Sequence, residues 1–428
     1  MRKIAGVCAA LLMLGVSIRL FEKPQVQGTT LSVWSHEADE PAKVAVREKV
    51  AREIERTHPG VHVKITWYDA EGLVVALKTA LPAGQGPDIF YIEKDWSDLI
   101  TDGYVLPLDG LIDWNNIYPW ARQAWISDGT TWAVPQEVYT DELYYNKRLL
   151  AKLGFTLPPN AQFTQEQFLD LVKKARAAGI TPIMQGVGDR NFPGAYILTQ
   201  ALLHKLGLND YGKLFNGQLS FEDPRAVAVF TWFKELVDAG AYPPNFMTMK
   251  LAESHYYFYQ KPGAVMLPMG SWYTGRAFVP VDEGGQPKDF PLGIMQYPAM
   301  DDGACNECKV RAVGSSFAIN AASPHRQLAA DYLNAMSQPA IGTLWIDTVH
   351  LQTAVIAQGT PESGPYAQYY QELMARQQGA KYFPMDPSDF LEGKCLDTFI
   401  QVMNTSFPGG LLSVDEAIRL MNQGCYRG

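Results

Sequence analysis

The chain has 428 residues, 47% of them hydrophobic, and a formal net charge of −9 at pH 7. That length favours two domains or lobes over a single core, and the hydrophobic content is that of a soluble globular protein. The negative balance, without a run of five basic residues anywhere, excludes a nucleic-acid backbone as partner.

Arg2 and Lys3 precede an uncharged, mostly apolar run from Ile4 to Ile18, and Arg19, Glu22 and Lys23 follow it. The run is shorter than the roughly 20 residues that span a bilayer and fits the apolar part of a secretory signal. Residues 1–28 therefore read as a signal peptide, or as an uncleaved anchor because Arg19 follows the run directly. Cys8 lies inside the run, where a lipid-modified terminus is not expected. The mature chain is expected outside the cytoplasm, periplasmic or extracellular, and membrane-associated if the leader is retained.

From there strands and helices alternate. Leu31 to Trp34 reads as a short strand and Pro41 to His58 as a helix with Val44, Val46, Val50 and Ile54 as its apolar members. Val61 to Trp67 alternates with period two, a strand. Leu73 to Leu81 is expected to be helical and Asp88 to Ile92 extended, so parallel crossover units are under way. Further helices are expected at Tyr144–Leu153, Gln165–Ala178, Ala195–Leu206, Pro224–Ala239, Ser323–Met336 and Ser413–Gln423, the second of them capped by Thr164 and stopped by Gly179. Ser323 fits an N-cap and Pro324 a first helical position. No glycine- and serine-rich tether separates the halves, which argues for lobes joined by short crossings.

Four cysteines remain in the mature chain, Cys305, Cys308, Cys395 and Cys425. In an exported protein an even count favours disulfides, and three connectivities are possible. The pairing expected is Cys305 with Cys308 and Cys395 with Cys425. A metal site is not expected, because Cys305–Cys308 sits in a turn-like segment with no second Cys-x-x-Cys or closely spaced histidine pair to complete four ligands. No cofactor is expected.

Gly314 to Met336 joins a buried strand to a punctuated helix. Together with Leu31-Ser-Val-Trp-Ser35, Gly86-Pro-Asp-Ile-Phe-Tyr91, Leu143-Tyr-Tyr-Asn-Lys147 and Gly263-Ala-Val-Met-Leu-Pro-Met-Gly-Ser-Trp272, it resembles, in order and spacing, the extracellular solute-binding proteins of ABC sugar importers, the maltose-binding type. The resemblance implies an α/β fold of two lobes, the type II periplasmic-binding-protein fold, each lobe a mixed sheet flanked by helices with a ligand cleft between. It implies a first lobe from 29–138 and 317–349 and a second from 139–316 and 350–428.

In open α/β sheets ligands bind beyond the carboxyl ends of strands. After the first strand stand Trp34, Glu37 and Asp39, an aromatic plate beside hydrogen-bonding groups, which is what a sugar needs; Glu37 is expected in the pocket, with capping of the helix near Pro41 as the alternative for both acids and an even one for Asp39. After the strand ending near Ile92 the resemblance places Glu93 and Asp95 against sugar hydroxyls. At the first crossing it leaves Glu137 and Tyr139 competing for one role, and on a glycine-punctuated loop it implicates Asn191 and Tyr196. Gly270, Ser271, Trp272 and Arg276 follow an apolar strand; glycine lets a ligand approach the backbone, and Trp272 is the residue expected to serve as the sugar platform. Arg276 is expected to fork onto a carboxylate or hydroxyls, or to pair with Asp282. Gln352 lies near the return crossing.

The expected function is capture of a sugar or oligosaccharide by lobe closure and delivery to the membrane permease of an ABC transporter, by a monomer without catalytic residues. The same fold could take a non-sugar solute such as a polyamine or phosphodiester. A glycoside hydrolase using Glu93 and Glu137 is the enzymatic alternative, but no nucleophile elbow, P-loop or His-Glu-x-x-His motif supports an enzyme.

Overall fold

The structure, a computed structural model, describes residues 28–188, 196–260, 263–358 and 366–428. The apolar run Ile4–Ile18 lies outside the described residues, and no described helix is long and apolar enough to cross a membrane.

Thr29–Ser35 buries Leu31, Val33 and Ser35 on one face, the period-two pattern of a strand. It runs parallel to Val61–Trp67 in unbroken register from Thr29 opposite Val61 to Ser35 opposite Trp67, and parallel to Ile89–Ile92 on its other side. The connecting helices are Pro41–Thr57, which starts with proline where a missing donor costs nothing, and Ala70–Ala80, whose Asp69 cap accepts from Gly72 N–H. Ser316–Ile319 joins antiparallel to Ile89–Ile92, and Val134–Pro135 completes the first sheet. Its core includes Leu31, Val33, Leu73, Leu77, Phe90, Phe317, Tyr332 and Leu333.

The second sheet is built on Val138–Asn146, flanked on one edge by Ala264–Gly270 and on the other by Leu292–Ala299 and Cys308–Val313. Helices Gln165–Ala177, Tyr196–Phe215 and Pro224–Asp238 cover it with a core rich in Phe and Leu. The chain thus leaves the first sheet between Val134–Pro135 and Val138–Asn146 and returns between Cys308–Val313 and Ser316–Ile319. It crosses a third time after the helix Pro339–Val349, through an extended stretch bridged at Thr353 to Glu137 and at Val355 to Ile117.

Several expected boundaries hold: Val61–Trp67 is a strand, and Thr164 forms a capping box on Gln165–Ala177. Two do not. Tyr144 to Asn146 belongs to a strand, with only Lys147–Lys152 helical behind it and Asn146 as cap, because Leu143, Tyr144 and Tyr145 are consumed in pairing with Ala264–Gly270. The helix expected from Ser323 begins at Arg326. The Ser323 hydroxyl instead donates to Asp88 at 2.6 Å and accepts from His325 N–H, tying the turn to the strand end at Asp88. The pairings Cys305–Cys308 and Cys395–Cys425 are both present as disulfides.

Candidate functional site

At the seam between the lobes the start of the helix Pro41–Thr57 and the third crossing meet Ser271–Arg276 of the second lobe. Its floor is a buried ionic web. Glu37 takes two bonds of 2.9 Å from Arg47, and Lys43 reaches Glu137 at 2.9 Å and Glu40 at 3.1 Å. Ser315, in the second crossing, donates to Glu37 at 3.1 Å and lies 3.2 Å from Glu137. Arg276 closes the web from the second lobe, 3.7 Å from Glu40. The charges balance, three carboxylates against Lys43, Arg47 and Arg276.

Burial opposes ionisation of Glu37, yet the Arg47 guanidinium more than offsets it and holds the carboxyl at about 2. Burial pushes Glu137 up despite Lys43, whose own ammonium is held on by Glu137 and Glu40. The Arg47 guanidinium also lies between the rings of Phe317 and Trp345, at 4.6 and 4.7 Å from their centroids. A second tie across the seam is Arg311, 4.1 Å from the ring centroids of Trp120 in the first lobe and Tyr382 in the second.

These contacts reassign several expected ligand residues. Glu37 is fully buried with both its oxygens bonded to Arg47, and it does not cap the helix, whose cap position is Glu40. Glu137 is likewise buried and held by Lys43 and Ser315. Tyr139 packs against the second-lobe core, and Tyr196 is buried in it. Trp34 lies on the face of its strand opposite Ser35 and packs its ring on Tyr68, centroids 5.2 Å apart. Arg276 faces Glu40 across the seam. Ser271 accepts from Thr140 N–H and donates to Gln352, which ties the second lobe to the third crossing. Asn191 and the side chains of Asp39 and Asp95 lie outside the described residues.

Glu93 remains accessible, its side chain 42% exposed. Tyr91 donates to it at 2.6 Å and His36 lies 3.5 Å away. Burial works against both charges, but the pair favours them, so the Glu93 carboxyl is held below and the His36 imidazolium above their usual ranges. Gln136, at the first crossing, is buried with neither amide atom hydrogen-bonded to any described residue. Trp272 is half-buried and reaches the apolar group of Val46, Trp345 and Leu351 that bridges the lobes.

The indole folds back over Gly270, where a Cβ would clash with the ring at Trp272 Nε1. Gly270→Ala is therefore expected to displace Trp272, seen as a changed near-ultraviolet circular dichroism spectrum with far-ultraviolet signal intact. An unaltered near-ultraviolet spectrum would contradict this packing.

Lys43, Arg47 and Ser315 belong to this web without standing among the residues expected from the sequence. A signal existed: Lys43 and Arg47 share the helical stripe of Val46, Val50 and Ile54, and basic residues on a buried face need carboxylate partners.

The family model described as bacterial extracellular solute-binding protein matches residues 37–342. An uncharacterized ABC transporter extracellular-binding protein of Pyrococcus horikoshii is 26% identical over 262 residues, 58% of this chain but only 57% of that protein's length. The multiple sugar-binding protein of Streptococcus mutans is 24% identical over 305 residues, 68% of each chain. Among solved structures, a chitin oligosaccharide binding protein superposes with a TM-score of 0.80 at 20% identity, covering 93% of this chain and 98% of its own. The solute-binding protein RafE in complex with raffinose gives 0.68 at 18% identity, covering 93% and 100%. Those structures share the two-lobe type II fold. On the extent of the family match, this chain belongs to the bacterial extracellular solute-binding proteins.

Proposed function

We propose that the protein captures a sugar or oligosaccharide outside the cytoplasm as a monomer, closes its lobes on it, and presents the closed form to the permease of an ABC importer. The observation that carries this reading is the seam itself: a half-buried indole, Trp272, on one lobe and, on the other, an accessible Glu93 held by His36 and the buried Tyr91, the lobes being joined by three short crossings. Closure is favoured only by ligand contacts made better in the closed form. The relatives named for sugars support a saccharide over a polyamine or phosphodiester. Glu93, Gly270 and Trp272, together with His36 and Gln136, are the residues that would meet the sugar. The leader in residues 1–28, cleaved or retained, is the proposed export signal.

A hydrolase would need Glu93 and Glu137 as two working carboxylates. Glu137 is committed to Lys43 and Ser315, which favours binding without turnover.

A thermal-shift screen of maltotriose, raffinose and chitin oligosaccharides tests the reading. A ligand at 100 times its Kd adds about 2.7 kcal/mol to the stability of the native state, so a clear rise in Tm with the saccharide recovered intact is expected. Stabilisation by spermidine or a phosphodiester alone, or release of shorter sugars, would contradict it.

A further inference from the structure

The helix Leu251–Tyr259 carries His255 into the second-lobe interior, 1% exposed. Neither ring nitrogen has a hydrogen-bond partner among the described residues, and none of these holds the imidazole by a polar contact. What fixes it is aromatic: it stacks on Trp272 with centroids 5.8 Å apart and planes 24° from parallel, and meets Tyr273 edge-on at 5.2 Å. Burial and the nearby Arg276 hold the ring neutral, well below the usual histidine range.

We propose that His255 is a positioning residue: its flat ring backs the Trp272 indole and sets the orientation in which that indole meets a sugar. This rests on Trp272 being the sugar platform. The alignment follows from geometry. Gly270 leaves room for the indole to fold over the backbone, Val46, Trp345 and Leu351 meet it at the lobe boundary, and His255 supplies a planar surface from within the second lobe. A planar ring resists rotation of its stacked neighbour in a way that an aliphatic side chain of the same volume does not. The two unpaired nitrogens play no part in this role, so a phenylalanine in the same place should do as well.

The test uses protein labelled with 5-fluorotryptophan, the Trp272 fluorine resonance being assigned by Trp272→Phe. His255→Ala is expected to shift or broaden that resonance and His255→Phe to restore it, with a higher Tm because the unpaired nitrogens are gone. Affinity for whichever of maltotriose, raffinose or chitin oligosaccharides binds the wild type most tightly should fall roughly tenfold in His255→Ala, the scale of coupling between residues in contact, and stay near wild type in His255→Phe. In a Trp272→Ala background the His255→Ala loss should vanish. The proposal is overturned if His255→Phe loses affinity as His255→Ala does, if His255→Ala moves neither resonance nor affinity, or if its effect persists without Trp272. Should Trp272→Ala itself bind normally while the resonance still responds to His255, the platform reading fails and the packing claim survives.

Discussion

Glu37→Gln is expected to lower the free energy of unfolding by about 3–5 kcal/mol, the cost of breaking a buried ion pair and stranding one charge. The stranded charge is Arg47, 1% exposed and enclosed by Phe317 and Trp345. Glutamine keeps the shape of Glu37 and can satisfy part of the guanidinium, but it cannot neutralise it. The double variant Glu37→Gln with Arg47→Met should lose less than the sum of the single losses, because the unpaired cation is gone as well. Urea unfolding measures all three. The pH dependence has a definite sign: with the folded Glu37 carboxyl at about 2, below its unfolded value of 4.5, its contribution is present above pH 4.5 and is lost as pH falls toward 2. The variant should lack that portion of acid lability. A loss below about 1 kcal/mol, the scale of an exposed pair, would show that the web is solvent-screened.

Trp272→Ala is expected to cost at least about 2 kcal/mol of binding, roughly 30-fold in Kd, as truncating a central aromatic anchor does. The indole is half-buried, so part of its area serves packing against Val46, Trp345 and Leu351, and some loss of Tm should accompany the loss of affinity. Trp272→Phe separates the two: it keeps a flat face and should recover much of the binding. Titration calorimetry with the best saccharide from the thermal-shift screen reads both variants. Unchanged affinity in folded Trp272→Ala would remove this residue from the site.

The elements were legible where the signal is local. The strand Val61–Trp67 follows from its own alternation, and the Gln165–Ala177 helix from Thr164 before it and Gly179 after it. Tyr144 to Asn146 misled because tyrosine and asparagine next to Lys147 suit a helix start, whereas the partner that makes them a strand is more than a hundred residues away at Ala264–Gly270. The site was legible only as loops. That the loop after the first strand belongs to the seam could be read from position; that Glu37 would be spent on Arg47, and Glu137 on Lys43, depends on which side chains the helix Pro41–Thr57 turns inward. His255 was hidden among the aromatic residues around it, since its stacking partner lies on a different element.

Small-angle scattering with and without a saturating saccharide, followed by mass spectrometry of the recovered sugar, tests lobe closure around an unaltered solute most directly. A smaller radius of gyration on saturation and a saccharide of unchanged mass are expected. An unchanged radius at saturation, or a shortened sugar, would contradict it.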